Sequence, residues 1–234
     1  MSGAIAELST QRKFTMVLTG TELDKGVASQ IQITVAVQFT VEGKRQFARV
    51  EAMSYRDGTL VHRFAGDGQR LWTYDVLKKE YSSIDYGVVP KPIQGMRHRL
   101  FQTMNTFGRG PYTLLTRILM DAFGENATNV GNIRNKWVPW QPMAEVNVTG
   151  ENIVCTSSDP VASQLVYVLE PDPIFGFRLK GLDYYEQVKI AGRWRTRRWQ
   201  VTIRRDYMPP DTSFGFVAPR GARAVSVSIP KTGG

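Results

Sequence analysis

The chain has 234 residues, 42% of them hydrophobic and 22% charged, a balance that excludes disordered, coiled-coil and collagen-like classes and leaves a core-forming globular chain. Thirty Lys and Arg against 21 Asp and Glu give a net charge of +9, which permits nucleic acid, anionic lipid or an acidic protein as partner and selects none of them. A single cysteine, Cys155, with His62 and His98 as the two histidines, excludes an intrachain disulfide and a multi-cysteine zinc site.

In chain order, the start Met1-Ser2-Gly3-Ala4 has neither a basic nor an apolar leader region, so it reads as a cytosolic start or as a mature domain whose leader has been replaced. Phe14, Met16 and Leu18 alternate in a short strand. From Ile31 to Val41 every odd position is apolar, which predicts a long half-buried strand. Turn chemistry at Glu42-Gly43, Asp57-Gly58 and Asp67-Gly68 then separates strands over Gln46–Tyr55, Leu60–Ala65 and Arg70–Asp75, with another over Glu80–Tyr86. This predicts an antiparallel meander.

After Pro90 and Pro92 the period changes. Leu100, Phe101, Met104 and Phe107 share a helical face, and Pro111–Phe123, with Leu115, Ile118, Leu119 and Ala122, predicts a second helix. A polar stretch, Gly124–Asn135, reads as a loop. Strands resume over Ala144–Thr149, Ile153–Ser157, Gln164–Leu169, Phe175–Lys180, Tyr184–Ile190 and Arg195–Arg204. The expectation is a mainly β (α+β) single domain over 1–234: a strongly curved antiparallel sheet, a half-open barrel of about 11 or 12 strands, with a helical insertion over about 96–124 covering the concave side. No apolar run is long enough for a transmembrane helix.

Gly-rich phosphate loops, His-Glu-x-x-His, Gly-x-Ser-x-Gly and Cys-x-x-Cys are all missing from the sequence. His62 alternates with Leu60 and Phe64, as a packed structural histidine does. Asp67 and Asp75 fall where turn chemistry needs them. The chain therefore reads as non-enzymatic, with no catalytic residues, no metal and no cofactor. Arg193–Arg205 is the densest basic stretch, with Trp194 and Trp199 interleaved. Such a stretch suits nucleic acid, lipid or protein, and its alternation is also that of a solvated strand face.

Three stretches look familiar together. Asp67-Gly68-Gln69-Arg70-Leu71-Trp72-Thr73-Tyr74-Asp75 resembles the Asp-Gly-x-x-x-Trp-x-Tyr-Asp hairpin of the periplasmic outer-membrane lipoprotein carrier family and its lipoprotein-receptor relatives. Gly110-Pro111-Tyr112-Thr113-Leu114-Leu115 is similar to that family's Pro-x-x-Leu-Leu helix start. Asp211–Ala222 resembles its closing motif of an Asp, two phenylalanines and Pro-x-Gly-Ala, and Ala4–Leu8 resembles the end of its leading helix.

The resemblance implies a periplasmic or otherwise exported protein that shelters a lipid or lipoprotein acyl chain without covalent chemistry. On that reading Leu115, Ile118 and Leu119 form a lid and Val35, Val37 and Phe39 a sheet floor, with Trp72 and Tyr74 beside them. Burying half of a sixteen-carbon chain gains roughly 6 kcal/mol before ordering costs, at about 0.8 kcal/mol per CH₂. The alternative is an envelope sensor or scaffold that meets a partner protein through Arg195, Arg197, Arg198 and Arg204 or through a sheet edge. Partner expectations are thus a lipid, an envelope protein and peripheral membrane contact, for a monomer, with nucleic acid disfavoured.

Overall fold

The computed structural model describes residues 13–24, 27–42, 45–85, 143–157, 164–190 and 192–226. Its strands are β1 Lys13–Asp24, β2 Val27–Glu42, β3 Arg45–Arg56, β4 Thr59–Gly66, β5 Arg70–Asp75, β6 Glu80–Asp85, β7 Met143–Thr149, β8 Asn152–Ser157, β9 Gln164–Asp172, β10 Gly176–Ile190, β11 Arg193–Arg204 and β12 Arg223–Ala224. They form one 12-stranded sheet in the spatial order β12, β6, β5, β4, β3, β2, β1, β11, β10, β9, β8, β7. Every neighbouring pair is antiparallel except β12 beside β6. The sheet is therefore two meanders, β1–β6 and β7–β11, joined along the β1–β11 seam. The right-handed twist of its strands curls a sheet of this width.

Local chemistry explains the hairpins. Asp57 and Gly58 both hold positive φ (49° and 78°), the backbone of a two-residue turn matched to strand twist. At the next turn Asp67 Oδ1 accepts the backbone N–H groups of Gln69 and Arg70, both at 2.8 Å. The expected Phe175–Lys180 and Tyr184–Ile190 strands are one strand, β10, whose register slips between Leu179 and Gly181. That bulge keeps apolar side chains on one face through the irregularity.

The two faces differ. One is apolar: Phe14, Met16, Leu18, Ile33, Val35, Val37, Val50, Phe64, Leu71, Tyr167, Leu182, Trp199 and Val201 are all buried on it. The other carries the C-terminal segment after β11, which crosses β3–β6 and ends as β12. Its 3₁₀ helix, Asp211–Phe214, buries Phe214 completely.

The expectation of an α+β fold with helices over the concave side is corrected here. Among the described residues the one helix is this four-residue 3₁₀ turn, and the segment that packs across the sheet is an extended C-terminal strap. Arg63 fastens the strap: its Nη2 donates to the carbonyls of Ser213 (2.9 Å) and Gly215 (3.3 Å), satisfying acceptors that a helix would have satisfied internally. The helices expected over about 96–124, including Leu115, Ile118 and Leu119, lie outside the described residues.

Candidate functional site

Strand register sets the composition of the apolar face. One row runs straight across ten strands: Ile153, Tyr167, Leu182, Val201, Leu18, Ile33, Ser54, His62, Asp75 and Glu80. It begins as hydrocarbon and turns polar at β3. The adjacent row, Val35, Ala52, Phe64, Thr73 and Ser82, changes over two strands later. Val37, Val50 and Leu71 keep the third row apolar around Gly66. The face is thus amphipathic within its own plane, hydrocarbon over the middle strands and hydroxyl-, imidazole- and carboxylate-bearing at one corner.

That corner holds two unusual groups. Ser54 is buried to 1% exposure, and its hydroxyl has no hydrogen-bond partner among the described residues. A buried hydroxyl in that state costs desolvation that nothing returns. His62 Nε2 lies 2.6 Å from Thr73 Oγ1. Burial lowers the His62 pKa to about 4, against the opposing pull of the Asp75 carboxylate, so the imidazole is neutral at neutral pH.

Ser54, His62 and Asp75 are consecutive in the row, a grouping that sequence reading did not find. The signal was hidden by an irregularity between Ser54 and Tyr55, which aligns residue 62 rather than its neighbour with Ser54. They do not form a catalytic triad in this geometry, because Ser54 makes no hydrogen bond to His62 and Asp75 accepts the Lys78 backbone N–H at 3.0 Å. What the corner offers is hydrogen bonding to a polar group held beside hydrocarbon.

Val35 and Val37 lie on the apolar face, both fully buried, and Phe39 of the same strand is in register with Ala48. Trp72 and Tyr74 do not join them. They share the opposite face, where Phe216 of the strap stacks on Trp72 (centroids 6.4 Å apart) and meets Tyr74 (6.0 Å) and Tyr81 (5.4 Å). Residue parity in β5 decides this, since Leu71 and Thr73 take the apolar side. The Asp67–Asp75 and Asp211–Ala222 motifs therefore pack on each other as a structural clasp. Beside it Glu51 pairs with Arg63 at 3.2 Å, and burial raises the Glu51 carboxyl above the usual carboxylate range against that pull.

Arg195 and Arg197 project from β11 on the side of Trp199, whereas Arg198 and Arg204 project on the other, so the four cations form no single patch. Arg198 grips Asp183 through Nη2 at 2.9 Å to both carboxylate oxygens. Arg204 pairs with Asp206 at 3.5 Å and covers the Tyr207 ring. A hollow of about 330 Å³ on the strap-bearing side of β1–β3, lined by Thr19, Gln30, Ile31, Gln32, Tyr55 and Gly58, mixes polar and apolar groups and lies on the face opposite Val35 and Val37. Among the described residues no group of three or more His, Cys, Asp or Glu is placed to hold a metal ion, and no helix is long and apolar enough to cross a membrane.

No protein-family model matches the chain, and no curated protein matches it. Among solved structures it is similar to the crystal structure of a DUF1329 family protein from Desulfovibrio piger, at 11% identity over 92% of this chain and 94% of that one, with a TM-score of 0.34. A likeness at that score carries no argument about this protein's chemistry.

Proposed function

We propose that the protein is a non-enzymatic binder of a lipid or lipoprotein acyl chain in the cell envelope, of the lipoprotein-carrier kind. On this reading the hydrocarbon tail inserts against the apolar face at Ile33, Val35 and Val37, which are fully buried here and must be uncovered to admit it, and the polar end of the lipid reaches the Ser54–His62–Thr73 corner. The observation that supports this reading is Ser54. Its hydroxyl is a buried polar group with no partner among the described residues, set where an apolar row turns polar. An ester or carboxyl oxygen accepting from Ser54 would satisfy that hydroxyl while the chain stays in hydrocarbon. Transfer of eight methylenes is worth about 6 kcal/mol, enough for carriage without a covalent step.

The test is native mass spectrometry of protein taken from cells, followed by titration with a fluorescent fatty acid and a diacylated lipopeptide. Co-purifying lipid or saturable uptake supports the reading. Protein that arrives empty and takes up neither ligand overturns it.

A further inference from the structure

We infer that the tip of the β10–β11 hairpin is a docking prong for an anionic phospholipid surface. Pairing of β11 with β1 ends at Trp199–Gly20, and pairing of β10 with β9 ends at Tyr185–Gln164. Beyond those points Glu186–Arg197 continues as a two-stranded ribbon with five further cross-strand pairs, from Glu186–Arg197 to Ile190–Arg193. Among the described residues no third strand flanks it. At about 3.4 Å per residue it projects about 17 Å from the seam.

The ribbon's chemistry is one-sided in sign. Lys189, Arg193, Arg195 and Arg197 stand against the single acid Glu186, at the ribbon's base. Arg193 and Arg195 have no acidic partner among the described residues, and positions 192–196 are all exposed. Trp194 is 55% exposed and sits opposite Lys189, whose ammonium lies 5.9 Å from the indole centroid. Val188 and Ile190 line the arginine side. A pair of strands has no interior in which to bury an indole and two aliphatic side chains. Cations spaced along a strand, with a tryptophan and aliphatic groups between them, match the layered chemistry of a bilayer surface: phosphate outside, interfacial aromatic and hydrocarbon below. A flat protein partner would meet only one face of the ribbon, whereas the arginines stand on one face and Lys189 with Trp194 on the other, an arrangement that a bilayer surface meets end-on. Lys189 covers one face of the Trp194 indole, and competition with an oligonucleotide decides for or against base stacking on the other.

The inference stands on the ribbon alone, away from the Ser54 corner, and does not depend on lipid being carried there. The test is sedimentation of the full chain with vesicles of phosphatidylcholine, with and without 30 mol% phosphatidylglycerol as a composition of our choosing, about the anionic fraction that gives a marked surface potential. Expected is binding to the anionic vesicles that weakens steeply with salt, with little on neutral ones. The double variant Arg193→Glu, Arg195→Glu is expected to lose about tenfold or more of that affinity. Its unfolding midpoint and its fatty-acid uptake remain those of the parent. Trp194→Ala weakens binding while leaving its salt dependence. No binding at low ionic strength, equal binding to neutral vesicles, or unchanged binding by the double variant overturns the inference. So does displacement from vesicles by a single-stranded oligonucleotide at equal phosphate, which would assign the ribbon to nucleic acid instead. Because fatty-acid uptake is scored separately, failure of the prong and failure of the lipid-binding reading give different results.

Discussion

Gly20 and Trp199 face each other across the β1–β11 seam, and the indole fills the space that a β-carbon at position 20 would occupy. A Cβ there would stand 2.7 Å from Cζ3 and 2.8 Å from Cδ2 of the ring, and closer still to Cε3. Trp199 is 1% exposed, so the ring has nowhere to retreat. The seam is the joint between the two meanders and the last pairing before the sheet forks.

Gly20→Ala is therefore expected to destabilise by about 2 kcal/mol through overpacking, although alanine suits a strand at least as well as glycine does. Urea unfolding of the variant measures it. Trp199→Phe in the same background relieves the clash, so the double variant should lose less than the sum of the two single losses.

The strap is clasped by Phe216 against Trp72, Tyr74 and Tyr81, and anchored by fully buried Phe214. Phe214→Ala is expected to cost about 3–5 kcal/mol as a large-to-small core change. A Trp72→Ala, Phe216→Ala double-mutant cycle should return a coupling of about 1 kcal/mol. Zero coupling would mean the strap is held elsewhere.

Acid should weaken the fold through His62. Its folded pKa of about 4 lies below its ordinary 6.5. Between those values the unfolded chain binds a proton that the folded chain refuses, so the neutral-pH stability is present above about pH 6.5 and declines as pH falls toward 4. From pH 7 to pH 4.5 the loss attributable to this residue is about 2–3 kcal/mol. Denaturant midpoints at the two pH values should converge for His62→Gln relative to the parent.

Ser54→Ala separates folding from binding. The hydroxyl makes no hydrogen bond among the described residues, so its removal should leave stability unchanged or raise it slightly. Lipopeptide affinity should fall by about fivefold, the worth of one neutral hydrogen bond. A variant that loses stability but binds as before would assign Ser54 a purely structural part.

Arg198 and Asp183 make a bidentate pair, yet the arginine side chain is 53% exposed. Arg198→Ala should cost less than about 1 kcal/mol, falling further in high salt. Thermal unfolding at two ionic strengths checks this.

Much of the sheet was legible because its information is local. Alternation from Ile31 to Val41 names a strand and its buried side at once, and Asp57-Gly58 and Asp67-Gly68 can hardly be anything but turns. From these followed the meander; the total of 12 strands agrees with the expectation only because two expected strands merge into β10 while β12 was not foreseen. The irregularity beside Ser54 and the slip at Leu179–Gly181 left no such mark, since one residue added to a strand preserves composition while flipping every later side chain.

The faces could be read only one strand at a time. That Trp72 and Tyr74 turn away from Val35 and Val37, toward a phenylalanine some 140 residues later in the chain, depends on register summed over four strands and on where the C-terminal strap crosses. The row Ser54, His62, Asp75 is of the same kind. By itself the sequence determined strands, turns, charge and the want of catalytic motifs, all properties of neighbouring residues. Tertiary structure decided which side chains share a face, because cross-strand register is a long-range relation that no window of sequence contains.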